Sequence, residues 1–114
     1  MLAFQIYSEK LCSALNGNFD CSVIEIHGAK KKDAPSGTAK ELARLTNAQN
    51  VFSVRAGNCA GEHRLLLCGE NEQIELTHKV LNRSVFAKGA LEAANFLTDK
   101  TAGLFSAKHA FGLE

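Results

Sequence analysis

Three short segments between residues 50 and 79 constrain the fold of this chain most strongly, because each has the composition and spacing of a β-strand. Asn50–Arg55 and Gln73–Lys79 alternate between two faces, as half-buried strands do. Glu62–Cys68 contains three consecutive leucines, and residues 69–72 (GENE), which follow it, are typical of a hairpin turn. The sequence therefore predicts a β-sheet in which the last two of these strands form a hairpin.

Segments with helical spacing and one further strand surround this group. Apolar residues between 4 and 15 recur at helical intervals, and residues 21–27 (CSVIEIH) form a short β-rich run. A helix is expected to begin near Thr38, because residues 38–41 (TAKE) have the form of a capping box. A last helix is predicted over Ser84–Leu97, whose apolar stripe and many small residues would let it lie close to a sheet.

The order of these elements predicts an α+β fold. Helix, strand, helix, three strands and helix are expected to give a mixed, open sheet of about four strands with helices packed on one face. So few helices would leave the other face of the sheet uncovered, and an uncovered apolar face requires a partner. The chain is therefore predicted to form an oligomer through that face.

Length and composition limit the class of protein. A chain of 114 residues with 46% hydrophobic and 22% charged residues is predicted to form one globular domain, residues 1–114. Its net charge of +1 gives no general reason to expect binding to nucleic acid or to a membrane surface. No apolar run approaches the roughly 18 residues of a membrane span, and the N-terminus does not resemble a signal peptide, so a cytoplasmic location is expected.

The metal-ligating residue types are dispersed along the sequence. The four cysteines are scattered, none forms a CxxC pair, and no histidine lies at zinc-finger spacing from them. They are expected to be reduced and structural. Because no tight cluster of histidine and carboxylate residues occurs, no metal site is expected. His63 and His78 lie on predicted strands and are expected to make structural hydrogen bonds.

Residues 27–39 (HGAKKKDAPSGTA) combine groups that could bind and protonate a small acid. His27 ends a strand, and three lysines follow it in the loop. Ser36, Gly37 and Thr38 then open a helix, whose start presents free N–H groups and a partial positive charge to a carboxylate or phosphate. A titratable group beside the bound anion could deliver a proton. Each part also has a purely structural interpretation: a helix cap, a solvated lysine turn and a strand-end histidine.

Three motifs resemble those of the dihydrodipicolinate reductases. Residues 27–39 resemble a signature in which a strand-end histidine, a lysine four residues later and D-x-P-S-G-T-A follow one another. Residues 53–63 (SVRAGNCAGEH) resemble S-x-R-x-G-x-x-x-G-E-H, and residues 74–97 resemble a passage of the form E-x-x-H-x-A-x-x-R-x-x-F-A-x-G-A. Residues 103–105 (GLF) resemble the segment that follows. The resemblance covers nearly the whole chain.

This resemblance implies the C-terminal substrate-binding and tetramerisation domain of an enzyme that uses NADPH or NADH. Such enzymes reduce a cyclic hydroxylated tetrahydrodipicolinate on the route to diaminopimelate and lysine. The resemblance places His27 at the position of a proton donor or acceptor and Lys31 at that of the proton donor. It also implies a set of residues that contact the substrate or its carboxylate, namely Ser36, Gly37, Thr38 and Arg83. A guanidinium suits a carboxylate because its N–H donors form a fork.

The sequence departs from the family pattern in two places. Gly28 stands where the family has a second histidine, and glycine has no side chain to donate a hydrogen bond or to titrate. The last residues (SAKHAFGLE) also differ from the usual ending. No GxGxxG turn occurs and the first element is predicted to be a helix, so the dinucleotide-binding domain of these reductases is expected to be absent. By itself the chain is then expected to bind no cofactor and to show no reductase activity.

Two other functions fit the same residues. A stand-alone binding module would keep the helix start as a cradle for cyclic dicarboxylates and would act through a regulatory partner. A purely structural tetramerisation domain would have lost its site, and Gly28 is the feature that favours this alternative. Dicarboxylate binding distinguishes them, because only the binding module retains it.

Overall fold

The structure, a computed structural model, describes residues 1–15, 17–98, 100 and 103. Its helices are α1 (Leu2–Leu15), α2 (Gly37–Thr46) and α3 (Ser84–Leu97), and its strands are β1 (Asp20–His27), β2 (Asn50–Arg55), β3 (Glu62–Cys68) and β4 (Gln73–Lys79). The predicted bounds of β2, β3, β4 and α3 are those observed, while α1 and β1 begin slightly earlier than predicted. No helix among the described residues has the length and apolar character needed to cross a membrane.

The strands form one mixed sheet in the order β2-β1-β3-β4. β1 and β2 are parallel and are joined through α2, whereas β3 is antiparallel to both β1 and β4. The register places Glu25 between Ser53 on one side and His63 on the other, and it pairs His27 with Arg55. Polar side chains from three strands therefore meet at one end of the sheet.

One face of the sheet forms the hydrophobic core with α1 and α2. Val23 of β1 and the pair Leu65 and Leu67 of β3 pack against Ala39 and Leu42 of α2, and none of these residues is more than 2% exposed. α1 adds partly buried apolar side chains to the same cluster. Burial of this apolar surface holds the two helices on the sheet. The predicted α+β class with an open mixed sheet of four strands is confirmed, and α1 and α2 lie on one face of that sheet.

The opposite face of the sheet keeps apolar side chains exposed. β1 presents Ile24 and Ile26 there, and the register aligns them with Phe52 and Val54 of β2. Phe52 is 55% exposed and Val54 is 42% exposed. We call these four residues the outer apolar face. A surface of this kind is suited to contact with another protein surface.

α2 begins with a different cap from the one predicted. Ser36, not Thr38, is the N-cap residue: its backbone is extended (φ −66°, ψ 159°), and its Oγ accepts a hydrogen bond of 3.2 Å from the Ala39 N–H. Thr38 already lies inside the helix, where it cannot act as the cap. Glu41 pairs with Arg44 instead of completing a capping box. The predicted capping box is therefore wrong, although the predicted start of the helix is correct to one residue.

α3 does not pack on the sheet as the sequence predicted. It has no buried residue, and Phe86, Leu91 and Leu97 are 52%, 72% and 48% exposed. Four strands spaced about 4.8 Å apart present a face that two helices lying about 10 Å apart can fill. α1 and α2 occupy the inner face, and the start of α3 lines an open cavity together with residues 1–3 and His78.

Candidate active site

A polar cluster lies where the parallel strands end and the connecting helix begins. In a βαβ unit these ends lie at the same edge of the sheet, where such folds bind ligands. Glu25 and His27 end β1, Ser53 and Arg55 end β2, and Ser36 caps α2. The topology thus brings together side chains that are distant in sequence.

The carboxylate of Glu25 is the centre of this cluster, and its side chain is fully buried. Oε1 lies 2.6 Å from His27 Nδ1 and accepts from Arg55 Nη1 at 2.8 Å. Oε2 accepts from the Ser36 N–H at 2.9 Å, from Ser53 Oγ at 2.8 Å and from Arg55 Nη2 at 2.9 Å. Both oxygens therefore have several donors, and the guanidinium binds them in the bidentate manner that arginine favours.

These contacts determine the ionisation state of Glu25. Burial alone would favour the neutral acid, but hydrogen-bond donors outweigh burial and lower the pKa of Glu25 well below its ordinary value. In order of effect the donors belong to Arg55, Ser36, His27 and Ser53. The carboxyl group is therefore ionised at neutral pH. The hydrogen bond to Glu25 is also the main reason that the pKa of Arg55 is raised.

The buried carboxylate orients the imidazole of His27. An ionised carboxylate can only accept hydrogen bonds, so the short contact to Glu25 requires a hydrogen on His27 Nδ1. The neutral ring then has Nε2 as its free acceptor. A Cβ placed on Gly61 would come within 3.2 Å of Nε2, and Gly61 has a φ of +143°. Glycine at 61 therefore fits both the backbone conformation and the space beside His27.

His63 packs against His27 on the inner side of the cluster. The ring centroids are 5.3 Å apart, and the rings are nearly perpendicular at 75°. His63 is 3% exposed, and burial, followed by the charge on His27, lowers the pKa of His63 to about 4, so this ring is neutral at neutral pH. His63 Nε2 lies 3.3 Å from Ser36 Oγ. The structural hydrogen bond predicted for His63 is therefore present, and it helps to hold the helix cap.

His78 behaves differently from His63. Its ring packs beside that of Phe4 at a centroid distance of 6.0 Å, and its buried Nδ1 has no hydrogen-bond partner among the described residues. Burial is the main cause of the lowered pKa of His78. The hydrogen bond predicted for this histidine is thus not observed, because α1 places an aromatic ring, rather than a polar group, beside it.

The start of α2 offers free backbone donors next to the cluster. Gly37 and Thr38 precede the first intrahelical hydrogen bond, which runs from the Lys40 N–H to Ser36 O. Their N–H groups are therefore not used within the helix. Gly37 is exposed, and a Cβ there would meet no atom within 4 Å. This helix start can bind an anion through the amides of residues 37 and 38.

Lys31 lies in the turn that follows β1. Its backbone N–H donates to Gly28 O, and its ammonium group pairs with the Asp33 carboxylate at 3.1 Å. The hydrogen bond from Lys31 is the main reason that the pKa of Asp33 is lowered. The turn is tied to the cluster through Asp33 O, which accepts a hydrogen bond of 2.7 Å from Arg55 Nη2. Lys31 itself is thus engaged in the loop, where its ammonium group pairs with the Asp33 carboxylate.

Arg83 immediately precedes α3 and is exposed. It follows Val80, whose N–H donates to Gly61 O beside His27. Within the described ranges, no hydrogen bond or ion pair joins the Arg83 guanidinium to the polar cluster. Of the six predicted site residues, four therefore lie in the cluster or at the adjoining helix start, while Lys31 and Arg83 lie on separate surface segments.

Sequence reasoning missed the three residues that organise the cluster, Glu25, Ser53 and Arg55. A signal was present, because Glu25 shares the inward phase of β1 with Val23. A carboxylate on the buried phase of a strand requires a paired cation. Arg55 lies on the inward phase of β2, but its pairing with Glu25 depends on the two strands being neighbours.

The remaining metal-ligating residue types do not form a site in the described part of the chain. No group of three or more histidine, cysteine, aspartate or glutamate residues there is arranged to hold a metal ion. The four cysteines are free thiols. Burial, aided by neighbouring Cys21, raises the pKa of Cys12 to about 12, which makes this thiol a poor nucleophile at neutral pH.

Fold and site together define an α+β domain in which a helix start with free backbone amides adjoins a histidine held by a buried carboxylate. The sequence model of the family described as "Dihydrodipicolinate reductase, C-terminus" matches residues 1–111. The chain belongs to this family, which confirms the resemblance of its motifs.

Curated relatives share this region at substantial identity. The 4-hydroxy-tetrahydrodipicolinate reductase of Thermosipho africanus is 44% identical over 101 residues, covering 88% of this chain and 46% of the relative. The protein of the same name from Methanopyrus kandleri is 38% identical over 128 residues, covering 92% of this chain and 46% of the relative. In Xanthomonas campestris pv. campestris the identity is 46% over 101 residues, with coverages of 85% and 42%. The chain spans less than half the length of these relatives.

A solved structure shares the fold. The dipicolinate-bound dihydrodipicolinate reductase from Paenisporosarcina sp. TG-14 matches with a TM-score of 0.69 and covers 85% of this chain and 47% of that chain. The sequence identity is 23%, so this likeness concerns the fold.

Proposed function

We propose that this chain is the substrate-binding and oligomerisation domain of a 4-hydroxy-tetrahydrodipicolinate reductase in diaminopimelate and lysine biosynthesis. Membership of the family and the names of the curated relatives support the reductase assignment. The observation that carries the proposal is the pair of free amides at Gly37 and Thr38 beside His27, whose ring is held by Glu25. A cyclic dicarboxylate needs donors for a carboxylate and a proton-transfer group near its ring.

Substrate binding and proton transfer are assigned to different residues. The amides of Gly37 and Thr38, with Ser36 beside them, bind one substrate carboxylate. His27 exchanges a proton with the substrate through Nε2, and Lys31 acts as the proton donor. Arg83 approaches the substrate from the start of α3. Because Lys31 pairs with Asp33 and Arg83 is exposed, these two roles require both side chains to turn toward the bound substrate.

The hydride would come from NADPH or NADH bound outside the described residues. The described elements contain no glycine-rich turn between a first strand and a helix of the kind that holds the pyrophosphate of a dinucleotide in Rossmann folds. The cofactor is therefore assigned to a domain equivalent to the part of the curated relatives that this chain does not match. The chain alone is accordingly expected to orient one reactant without reducing it.

The oligomer is proposed to be a homotetramer formed through the outer apolar face (Ile24, Ile26, Phe52 and Val54). These side chains lie side by side on the two parallel strands, and the two from β2 are substantially exposed. Burial of such a face against another copy would stabilise the assembly. We propose a cytoplasmic location, with a small cyclic dicarboxylate as the ligand rather than nucleic acid or a membrane.

Isothermal titration calorimetry of the purified chain with dipicolinate tests the binding role. Picolinate, which has one carboxylate, serves as the control ligand and is expected to bind more weakly. The chain alone should not oxidise NADPH or NADH, whereas a chimaera in which it replaces the matching part of the Thermosipho africanus reductase should. A folded oligomer that does not bind dipicolinate would contradict the proposal and favour a purely structural domain. A folded chimaera that binds dipicolinate without reducing substrate would favour a stand-alone binding module.

A further inference from the structure

We infer that Glu25 is a positioning residue, which holds His27 in the Nδ1–H tautomer and thereby presents Nε2 to the ligand. The tautomer follows from the contacts in this chain, and the presentation of Nε2 to a substrate rests on the proposed function. Glu25 is not among the residues to which the family resemblance assigns a role.

The contact between Glu25 and His27 leaves one arrangement of hydrogens for the neutral ring. In the other tautomer, the lone pair of Nδ1 would face a carboxylate oxygen at 2.6 Å, and two acceptors would repel each other. The Nδ1–H tautomer converts the same contact into a charge-assisted hydrogen bond, which is the stronger kind. When one nitrogen of a neutral imidazole carries the hydrogen, the other nitrogen is the acceptor.

Glu25 cannot turn away from His27, because its other contacts fix the carboxylate in the plane of the Arg55 fork. The guanidinium binds one oxygen at 2.8 Å and the other at 2.9 Å. Ser53 Oγ and the Ser36 N–H hold the second oxygen at 2.8 and 2.9 Å. The last of these bonds also ties the start of α2 to the same carboxylate. One buried group thus sets the positions of both the imidazole and the anion-binding amides.

The charge of Glu25 suits it to a ring that gains and loses a proton. The donors around Glu25 lower its pKa, so the carboxyl group stays ionised and does not compete with His27 for the proton. An ionised carboxylate accepts from Nδ1–H whether or not Nε2 carries a proton, so the contact persists while Nε2 exchanges one. The same logic applies to the buried carboxylate behind the histidine of serine proteases.

Replacing Glu25 by glutamine gives a defined expectation for the tautomer. Oε2 accepts from Ser36, Ser53 and Arg55, so the single amide oxygen of glutamine should take that position. The amide NH₂ would then face His27 Nδ1 and donate to it. Glu25→Gln should therefore switch the neutral ring of His27 to the Nε2–H tautomer.

Nitrogen-15 NMR of the histidine rings reads the tautomer directly, and dipicolinate titrations of the same samples monitor the proposed site. The matched control is Glu62→Gln, because Glu62 is also buried at 5% exposed but pairs with Arg64 and Lys79. Since Glu25→Gln leaves Arg55 without its carboxylate and could unfold the chain, Glu25→Gln combined with Arg55→Met removes both charges of the pair together.

The wild-type chain and the Glu62→Gln variant should show the Nδ1–H tautomer of His27, and either variant lacking the Glu25 carboxylate should show the switch. In the chimaeric reductase, Glu25→Gln should lower kcat by about 100-fold with little change in KM, the size expected for lost proton transfer. An Nε2–H tautomer in the wild type, or an unchanged tautomer in a folded double variant, would overturn the inference. If the wild type shows the Nδ1–H tautomer without binding dipicolinate, the proposed function fails while the positioning of His27 by Glu25 stands.

Discussion

The anion site at the start of α2 can be tested by removing one backbone hydrogen. Gly37→Pro deletes the N–H of residue 37, and proline is well tolerated at the first position of a helix because its fixed φ is helical. The preceding residue must be extended, and Ser36 already is, with φ −66° and ψ 159°. Gly37→Ala is the matched control, since it adds a Cβ and retains the N–H. A Cβ at residue 37 meets no atom within 4 Å, so Gly37→Ala should not strain the fold.

The expected loss of affinity follows from the number of donors removed. A hydrogen bond to a charged group contributes about 1.5–3 kcal/mol, and the proline ring also blocks the direction from which the carboxylate approaches. Gly37→Pro should therefore weaken dipicolinate binding by about 10-fold to 150-fold. Gly37→Ala should leave the affinity unchanged and should raise helix stability by up to about 1 kcal/mol, because alanine has less backbone freedom to lose than glycine.

Calorimetric titration of dipicolinate into both variants measures this difference, and circular dichroism with thermal unfolding shows whether each variant is folded. If Gly37→Pro is folded and binds dipicolinate as tightly as Gly37→Ala does, the amide of residue 37 is not a ligand donor. The reasoning that places the carboxylate at this helix start would then be refuted. A parallel loss of affinity in both variants would instead assign the effect to the bulk of any side chain at this position, and it would refute the role of the amide equally.

Three further outcomes are expected. Burial lowers the pKa of His63 to about 4, so between about pH 6.5 and pH 4 the unfolded chain binds a proton that the folded chain does not. The free energy of unfolding should therefore decrease as the pH is lowered through that window. Urea unfolding should show a loss of about 3 kcal/mol that His63→Gln largely removes, and equal pH dependence in the two proteins would contradict this origin. Gly28→His, whose Cβ would lie 3.4–3.6 Å from the backbone of residues 57–59, should tighten dipicolinate binding relative to Gly28→Ala. Phe52→Lys should dissociate the proposed tetramer in analytical ultracentrifugation, whereas Leu91→Ala on exposed α3 should not, and a persistent tetramer would exclude the outer apolar face as the interface.

Local sequence patterns were sufficient for most of the fold. The bounds of β2, β3 and β4 follow from alternation and from the turn residues between them, both of which are short-range signals. The N-cap of α2 was not determined in this way, because serine and threonine are both good caps and both occur near the helix start. The choice of Ser36 is made by tertiary contacts: its N–H donates to Glu25, and its Oγ lies next to His63.

The packing of α3 illustrates a second limit of sequence reasoning. An apolar stripe on a helix shows that the helix has a face to bury, but it does not show against which surface. Phe86 and Leu91 remain exposed here, while α1 and α2 cover the inner face of the sheet. The stripe therefore predicted the helix correctly and its packing wrongly.

Part of the candidate site could be predicted from neighbouring residues in the sequence, and part depends on contacts between distant segments. His27, Ser36, Gly37 and Thr38 lie within one continuous motif, so their proximity could be predicted from the sequence. The contact between Glu25 and Arg55 joins residues 30 positions apart, and it depends on β2 lying beside β1. Only the strand order reveals that these two charges form one group.

The buried network also explains why some groups of the candidate site are fixed in position while others are not. Glu25 and Arg55 need each other for stability, because a lone buried charge is costly whether or not a ligand ever binds. Their pairing fixes His27 and Ser36, and Ser36 in turn caps the helix that carries the free amides. The fold does not depend on the position of Lys31 in this way, because its partner Asp33 is exposed and the ion pair contributes little to the stability of the fold. The preorganised groups of the candidate site are therefore those tied to the core, whereas Lys31, the proposed proton donor, is held on a loop by a partly exposed ion pair.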